Sequence, residues 1–203
     1  MGQLFSVFWN LWFPNKEYKI VMVGLDNAGK TTTLYRLHLG QAVSTNPTLG
    51  SNVEQVTYKN LKFEVWDLGG QANMRPSWVQ YYKHTDAIIM VIDSTDRARI
   101  SVVKNELASL LSHDHLKGAA ILVMANKQDL KDAMPPAELS EALALPAIRS
   151  HDWHIQSSCA LSGQGLSDGL EWISQHVRGG PASSTTPAQK ITSPQTITQQ
   201  PAS

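Results

Sequence analysis

The sequence predicts an α/β domain wound around a mostly parallel sheet. Three observations lead there. Apolar strand-like runs alternate with helical segments from Tyr18 to about residue 178. Two of the runs, Ala87 to Ile92 and Ala120 to Met124, are continuously apolar, as strands buried on both faces are. The first run, Tyr18 to Val23, leads directly into a glycine-rich loop and a helix.

Strands are expected near 18–23, 52–58, 61–67, 86–93, 119–125 and 153–157, and helices near 30–39, 97–112, 136–143 and 165–178. The first strand ends at the loop, and the first helix opens at Lys30. Between that helix and the second strand lies Thr45-Asn46-Pro47-Thr48, where Pro47 stiffens the chain and, after Asn46, rules out a glycosylation acceptor. The third strand ends in Trp66-Asp67, the fifth runs into Asn126, and the sixth precedes Ser158-Cys159-Ala160. No internal repeat is present.

The 203 residues, 42% hydrophobic, suffice for one domain of ordinary size with some excess. Lys+Arg and Asp+Glu are equal at 17 each, so no bulk basic field argues for nucleic acid, and any membrane attraction must be local. The single cysteine, Cys159, excludes an intramolecular disulfide framework and fits a reducing compartment. No apolar run approaches the ~20 residues that span a bilayer. The chain therefore reads as a protein of the cytosolic side.

Two membrane signals stand at the start. Met1-Gly2-Gln3-Leu4-Phe5-Ser6 satisfies M-G-x-x-x-[ST], in which loss of Met1 exposes Gly2 for myristoylation. If residues 3 to 13 are helical, Gln3, Ser6 and Asn10 form one polar face while Leu4, Phe5, Phe8, Trp9, Leu11, Trp12 and Phe13 cover the rest. Pro14 would end that helix. A lone myristoyl chain binds membranes only marginally, so the aromatic helix supplies the second signal. The segment lacks the charged start of a cleaved secretory signal. At the other end, the Pro, Ser, Thr and Gln that follow Pro181 cannot bury enough apolar surface to offset their ordering entropy, and the tail is expected to be disordered.

The chemistry centres on Gly24-Leu25-Asp26-Asn27-Ala28-Gly29-Lys30-Thr31, which fills the pattern G-x-x-x-x-G-K-[ST] and is followed by Thr32. Its glycines let the backbone wrap with N–H groups inward, and the helix opening at Lys30 adds unpaired donors and a positive dipole end. Such a loop holds a chain of phosphates. Lys30 would reach the β and γ phosphates, and the Thr31 hydroxyl would ligate a magnesium ion. Thr48 would come to the same ion and the γ phosphate. In Trp66-Asp67-Leu68-Gly69-Gly70-Gln71, Asp67 would hold the ion through water, the Gly70 N–H would bond the γ phosphate, and Gln71 would orient an attacking water.

Asn126-Lys127-Gln128-Asp129 settles the base. The carboxylate of Asp129 can accept from the two donors on guanine's edge, which adenine does not offer in that arrangement. Asn126 would brace the neighbouring loops, and the Lys127 stem would cover the base face. Ala160, after Cys159, would add a backbone N–H to the guanine oxygen. The nucleotides implied are GTP and GDP with Mg2+. No arginine in the phosphate loop or around Thr48 serves the developing charge, and Asp26 would place a carboxylate near the γ phosphate, so unaided hydrolysis is expected to be slow. His113 and His115 are expected on a helix pointing to different sides, and His151 and His154 lack a third ligand, which argues against zinc. Cys159 reads as a packed residue, with no base beside it.

GLDNAGKTT, PTLGSNVE, WDLGGQ, NKQD and SCAL, in this order behind Gly2 and an amphipathic start, resemble the ADP-ribosylation-factor-like small GTPases over residues 2 to about 178. Ser51 to Glu54, Ser77-Trp78, Tyr81-Tyr82, Asp93 to Arg97 and Trp153 to Gln156 are most similar to the fifth Arf-like subfamily. The resemblance implies a P-loop small GTPase fold: residues 1–15 as the myristoylated helix, 16–179 as the GTPase domain and 180–203 as the tail. It implies a monomeric switch, membrane-attached with GTP and released with GDP, cycling between the cytosol and the cytoplasmic face of the Golgi in vesicle traffic. Partners implied are an exchange factor, a GTPase-activating protein that supplies the missing cation, and effectors such as membrane-tethering factors. Strands Val53 to Asp67 would slide in register and eject the N-terminal helix. Many relatives carry an aromatic residue at the position of Ser51, making with Trp66 and Tyr81 an exposed effector triad, so effector choice should differ here. A nucleotide-binding scaffold with little turnover and a P-loop kinase are the other readings; NKQD and the paired glycines after Asp67 argue against the kinase.

Overall fold

The computed structural model describes residues 17–42, 48, 50–58 and 61–177. The N-terminal segment with Gly2, the loop 43–47 and the tail from residue 178 lie outside the described residues. So do the expectations placed on them.

Six strands form one sheet in the order β2-β3-β1-β4-β5-β6. They are β1 (Glu17–Val23), β2 (Ser51–Tyr58), β3 (Leu61–Leu68), β4 (Ala87–Asp93), β5 (Ala120–Asn126) and β6 (Trp153–Ser157). All neighbours are parallel except β2, which runs antiparallel to β3 at the sheet edge. The four α-helices are α1 (Lys30–Leu39), α2 (Ile100–Leu111), α3 (Pro136–Ala142) and α4 (Leu166–His176). Each begins and ends within three residues of its expected place.

Every residue of β4 and β5 is buried. That follows from their position, because helices cover both faces of the central strands. One core joins Val21, Val23, Ile88, Met90, Ile121 and Val123 to α2 (Val103, Leu107, Leu110) and α3 (Leu139). The other joins Ile20, Met22, Ile89, Val91, Leu122 and Met124 to α1 (Leu34) and α4 (Leu166, Leu170, Ile173). Alternate residues of the same strands thus serve opposite cores, as a two-residue side-chain period requires.

Three local features differ from the sequence reading. A 3-10 stretch, Arg75–Tyr81, lies between β3 and β4, where no element was expected. The stretch 97–112 expected as one helix divides: Arg97–Arg99 is a 3-10 turn, and the α-helix starts at Ile100. His113 and His115 are not on a helix pointing apart. His113 caps a short 3-10 turn, Asp114–Leu116, and His115 lies within it, with ring centroids 5.4 Å apart. No helix of the described residues is long and apolar enough to cross a membrane.

Candidate nucleotide site

The parallel strands β1, β3, β4, β5 and β6 all end on one edge of the sheet, and the loops that follow them converge there. The first loop, Gly24 to Gly29, joins β1 to α1. Its turn needs Gly29, which has φ +91° and leaves no room for a Cβ beside the Asn126 side chain. Asn27 also adopts positive φ (62°), exposed at the loop's crest. Within the loop the Lys30 ammonium donates to the Leu25 carbonyl at 3.0 Å. Burial lowers the pKa of Lys30, while the carboxylates of Asp67 and Asp26 oppose that by favouring its charged form. Thr32, in the first turn of α1, is half-buried beside Thr31.

The end of β3 faces that helix start. Asp67 is fully buried. Its Oδ2 accepts from the Thr31 hydroxyl at 2.6 Å and from the Thr48 hydroxyl at 3.3 Å, and the two hydroxyl oxygens are 2.9 Å apart. Its Oδ1 is buried without a partner among the described residues. Burial raises the Asp67 pKa, and the Thr31 bond, Lys30 and the Thr48 bond only partly offset it. Two hydroxyls and a buried, half-satisfied carboxylate make an all-oxygen donor set of the kind a hard divalent cation takes. A residue from the loop before β2 has therefore been brought to the residue that follows the phosphate-loop lysine.

Beyond β3, the Gly69-Gly70 pair is pressed against the phosphate loop. A Cβ on Gly70 would lie 2.5 Å from the Asp26 nitrogen, so only glycine allows this approach. Two side chains hold the pair, and the sequence reading gives neither a role at the site. Trp78 Nε1 donates to the Gly69 carbonyl at 2.9 Å, and Arg75 Nε donates to the Gly70 carbonyl at 3.1 Å while its Nη1 reaches Glu106 on α2 at 3.2 Å. Gln71, next in the chain, is half-buried, with its carbonyl accepting from Met74 at 2.9 Å.

The base side is built around Asn126, 1% exposed. Its Nδ2 donates to the Ala28 carbonyl at 2.8 Å, and its Oδ1 accepts from the Ala160 N–H at 2.9 Å. The expected bracing is therefore present. The Ala160 N–H, expected to face a guanine oxygen, donates here to the Asn126 Oδ1. Lys127 has positive φ (64°), and its ammonium bonds Asp93 Oδ2 at 2.6 Å. For Asp93, burial alone would raise the pKa; bonds from Lys127 and Thr95 reverse that, and the net shift is downward. The carboxylate of Asp129 is exposed at the rim. Cys159 is buried, its Sγ accepting from the Ser162 N–H at 3.5 Å.

The surface expected to meet effectors is less open than the sequence suggested. Trp66 and Tyr81 meet with centroids 5.5 Å apart, both half-buried, and the Lys19 ammonium sits 5.3 Å over the Trp66 ring. Ser51, the first residue of β2, is exposed. Among His residues, His154 stacks on Trp172 (5.5 Å) and His151 is buried against the Leu116 carbonyl at 3.0 Å. Among the described residues no cluster of three or more His, Cys, Asp or Glu could hold a metal ion.

A glycine loop with a buried lysine, an acidic strand end joined by two threonine hydroxyls, and an Asn-Lys-x-Asp turn on one sheet edge define a P-loop nucleotide-binding protein. The profile of the ADP-ribosylation factor family matches residues 4–177. ADP-ribosylation factor-like protein 5 of Dictyostelium discoideum is 56% identical over 180 residues, 87% of this chain and 98% of its own. Mouse ADP-ribosylation factor-like protein 5A is 51% identical over 88% of this chain and 99% of its own. Arabidopsis thaliana ADP-ribosylation factor 3 is 52% identical over 89% and 99%. The solved Arl6 BBS3 small GTPase from Trypanosoma brucei, with bound nucleotide analogue GppNp, superposes with a TM-score of 0.74 at 36% identity, covering 80% of this chain and 98% of that one. The chain belongs to the ADP-ribosylation factor family. It is a GTP-binding molecular switch and a GTP hydrolase.

Proposed function

We propose that the chain is a switch that attaches to membranes when GTP is bound and recruits effectors there, with the residues above in stated roles. The convergence of Thr31, Thr48 and the buried Asp67 carboxylate beside Lys30 carries this reading, since it ties the loop before β2 to the phosphate end of the site. The backbone from Gly24 to Gly29, with Lys30 and Thr32, cradles the phosphates. Asn126, Lys127 and Asp129, with the Cys159-Ala160 turn, form the guanine side. Thr31 and Thr48 would hold Mg2+, with Asp67 acting through water, and the ion would neutralise charge on the phosphate oxygens.

In hydrolysis, Gln71 orients a water in line with the γ phosphorus. The new P–O bond forms as the bond to the β–γ bridging oxygen breaks, leaving GDP and inorganic phosphate. The Gly70 N–H steadies a γ oxygen. Both arginines beside the loops are engaged, Arg75 with Glu106 and the Gly70 carbonyl, Arg99 with Asp26 and Asp96. A GTPase-activating protein therefore supplies the cation that unaided turnover lacks.

The pattern at Gly2 and the amphipathic residues 3–13 support attachment through a myristoyl group and a helix. Resemblance to the ADP-ribosylation-factor-like family supports vesicle traffic at the cytoplasmic face of the Golgi, with an exchange factor and tethering effectors as partners. The test is liposome co-sedimentation of purified myristoylated protein with Mg2+ and either a GTP analogue or GDP, beside Gly2→Ala. Attachment that requires both the analogue and Gly2 is the expected result. Attachment indifferent to the nucleotide would refute the coupling.

A further inference from the structure

Arg99 closes the 3-10 turn ahead of α2 and reaches across to the phosphate loop. Its Nη1 donates to Asp26 Oδ1 at 2.9 Å, its Nη2 to the Asp26 carbonyl at 3.3 Å, and its Nε to Asp96 Oδ2 at 2.5 Å. Asp96 also accepts from the Arg99 backbone N–H at 3.3 Å, so the arginine is braced from behind. Asp26 is the one acidic residue of the loop. It is a charged neighbour of Lys30, and its backbone nitrogen abuts Gly70, whose N–H is assigned to the γ phosphate. Left free, that carboxylate would oppose a γ phosphate with like charge.

We propose that Arg99 is a positioning residue for the terminal phosphate: it turns and neutralises the Asp26 carboxylate so that the loop accepts a γ phosphate without like-charge opposition. This rests on the reading of Gly24 to Thr31 as the phosphate loop. Arg99 does not touch the nucleotide; it acts through Asp26. GDP lacks the group that Asp26 would oppose, so the effect separates the two nucleotides. The same short segment also receives Lys127 at Asp93. Asp93 to Arg99 therefore clamps the base loop and the phosphate loop to one stretch of chain.

The side chains of Arg99 and Asp26 are 33% and 43% exposed, so solvent moderates the effect. A roughly three- to tenfold change is expected, larger at low salt. The experiment titrates the full chain with GDP and with a slowly hydrolysed GTP analogue, for wild type, Arg99→Ala, Arg99→Lys, Asp26→Asn and Arg99→Ala/Asp26→Asn. Arg99→Ala should lower the analogue-to-GDP affinity ratio, Arg99→Lys should recover part of it, and the double variant should return to the ratio of Asp26→Asn. Should Arg99→Ala not fold, Arg99→Gln carries the same expectation. An equal loss for both nucleotides, an unchanged ratio, or a double variant as poor as Arg99→Ala overturns the inference. A wild type that binds neither nucleotide overturns the underlying site reading together with it, whereas wild-type binding with an unchanged ratio in Arg99→Ala overturns this inference alone.

Discussion

Truncating Asn126 tests the join between the two halves of the site. Its amide makes two buried hydrogen bonds, to the Ala28 carbonyl at 2.8 Å and from the Ala160 N–H at 2.9 Å. Asn126→Ala deletes both and strands one buried acceptor and one buried donor, each costing ~1–3 kcal/mol. The sum is about 3 kcal/mol, a large part of the ~5–15 kcal/mol that holds an ordinary domain together. For a domain of this size that is a fall in Tm of roughly 6–12 °C. Urea unfolding of the nucleotide-free protein measures it directly, and the dissociation rate of a fluorescent GDP should rise in parallel, because both loops frame the nucleotide. Asn126→Asp is the isosteric control. One carboxylate oxygen still accepts from Ala160, but the other faces the Ala28 carbonyl, so that contact turns repulsive. A loss below ~1 kcal/mol for Asn126→Ala, or an Asn126→Asp as stable as wild type, would refute the reasoning.

Trp78→Phe keeps the ring packed but removes the donor to the Gly69 carbonyl (2.9 Å); a loss of ~1 kcal/mol in urea unfolding is expected, with single-turnover hydrolysis slowed more than GDP affinity. Asp67 has its pKa raised by burial, so the native state holds its proton more tightly and stability falls as pH rises from 3.8 through the elevated value. Asp67→Asn should therefore raise the Tm of the nucleotide- and metal-free protein at neutral pH while abolishing the dependence of nucleotide affinity on Mg2+; a lowered Tm counts against this account. Burial lowers the pKa of His154, outweighing its bond to Gln156, and His176 adds to the lowering, so the native state resists a proton that the unfolded chain takes below pH 6.5. Stability falls as pH drops through that range, and His154→Phe, which keeps the stack on Trp172, should flatten the slope of Tm between pH 5 and 7.5.

The fold was legible because its signals are local. Continuous apolar runs can only be strands buried on both faces here, and β4 and β5 are buried at every residue. The phosphate loop, Asp67 and Asn126 were legible for a related reason: their chemistry requires fixed spacing beside strand ends. Arg75–Tyr81 was not legible, since Pro76 and the clustered aromatic residues give no 3.6-residue period, yet it supplies Trp78 and Tyr81. Arg99 was missed because its partner is 73 residues away and nothing in the intervening sequence marks the pair. The Ala160 N–H shows a subtler limit. Sequence marks the turn after β6, but the acceptor its N–H takes here is an amide 34 residues distant.

The geometry also explains how one register can be read at two surfaces. β2 has a single neighbour, and of its eight residues only Val56 is buried, so it follows β3 wherever β3 goes. β3 pairs with β1 in parallel and alternates Phe63, Val65 and Asp67 on one face with Glu64, Trp66 and Leu68 on the other. A slip of one residue would exchange these faces between the two cores and is excluded on that ground. A slip of two preserves the alternation and displaces the strand by about 6.6 Å. That distance would carry Asp67 away from Thr31 and, in the same movement, Trp66 away from Tyr81 and Lys19. The closed register is held by the Thr31–Asp67–Thr48 hydroxyl bonds and by Trp78 and Arg75 on the glycine carbonyls. On the roles proposed above, a γ phosphate and its cation would reinforce that same set of contacts and GDP would not, which would place the differential binding that biases the register and the surface that reports it on one strand.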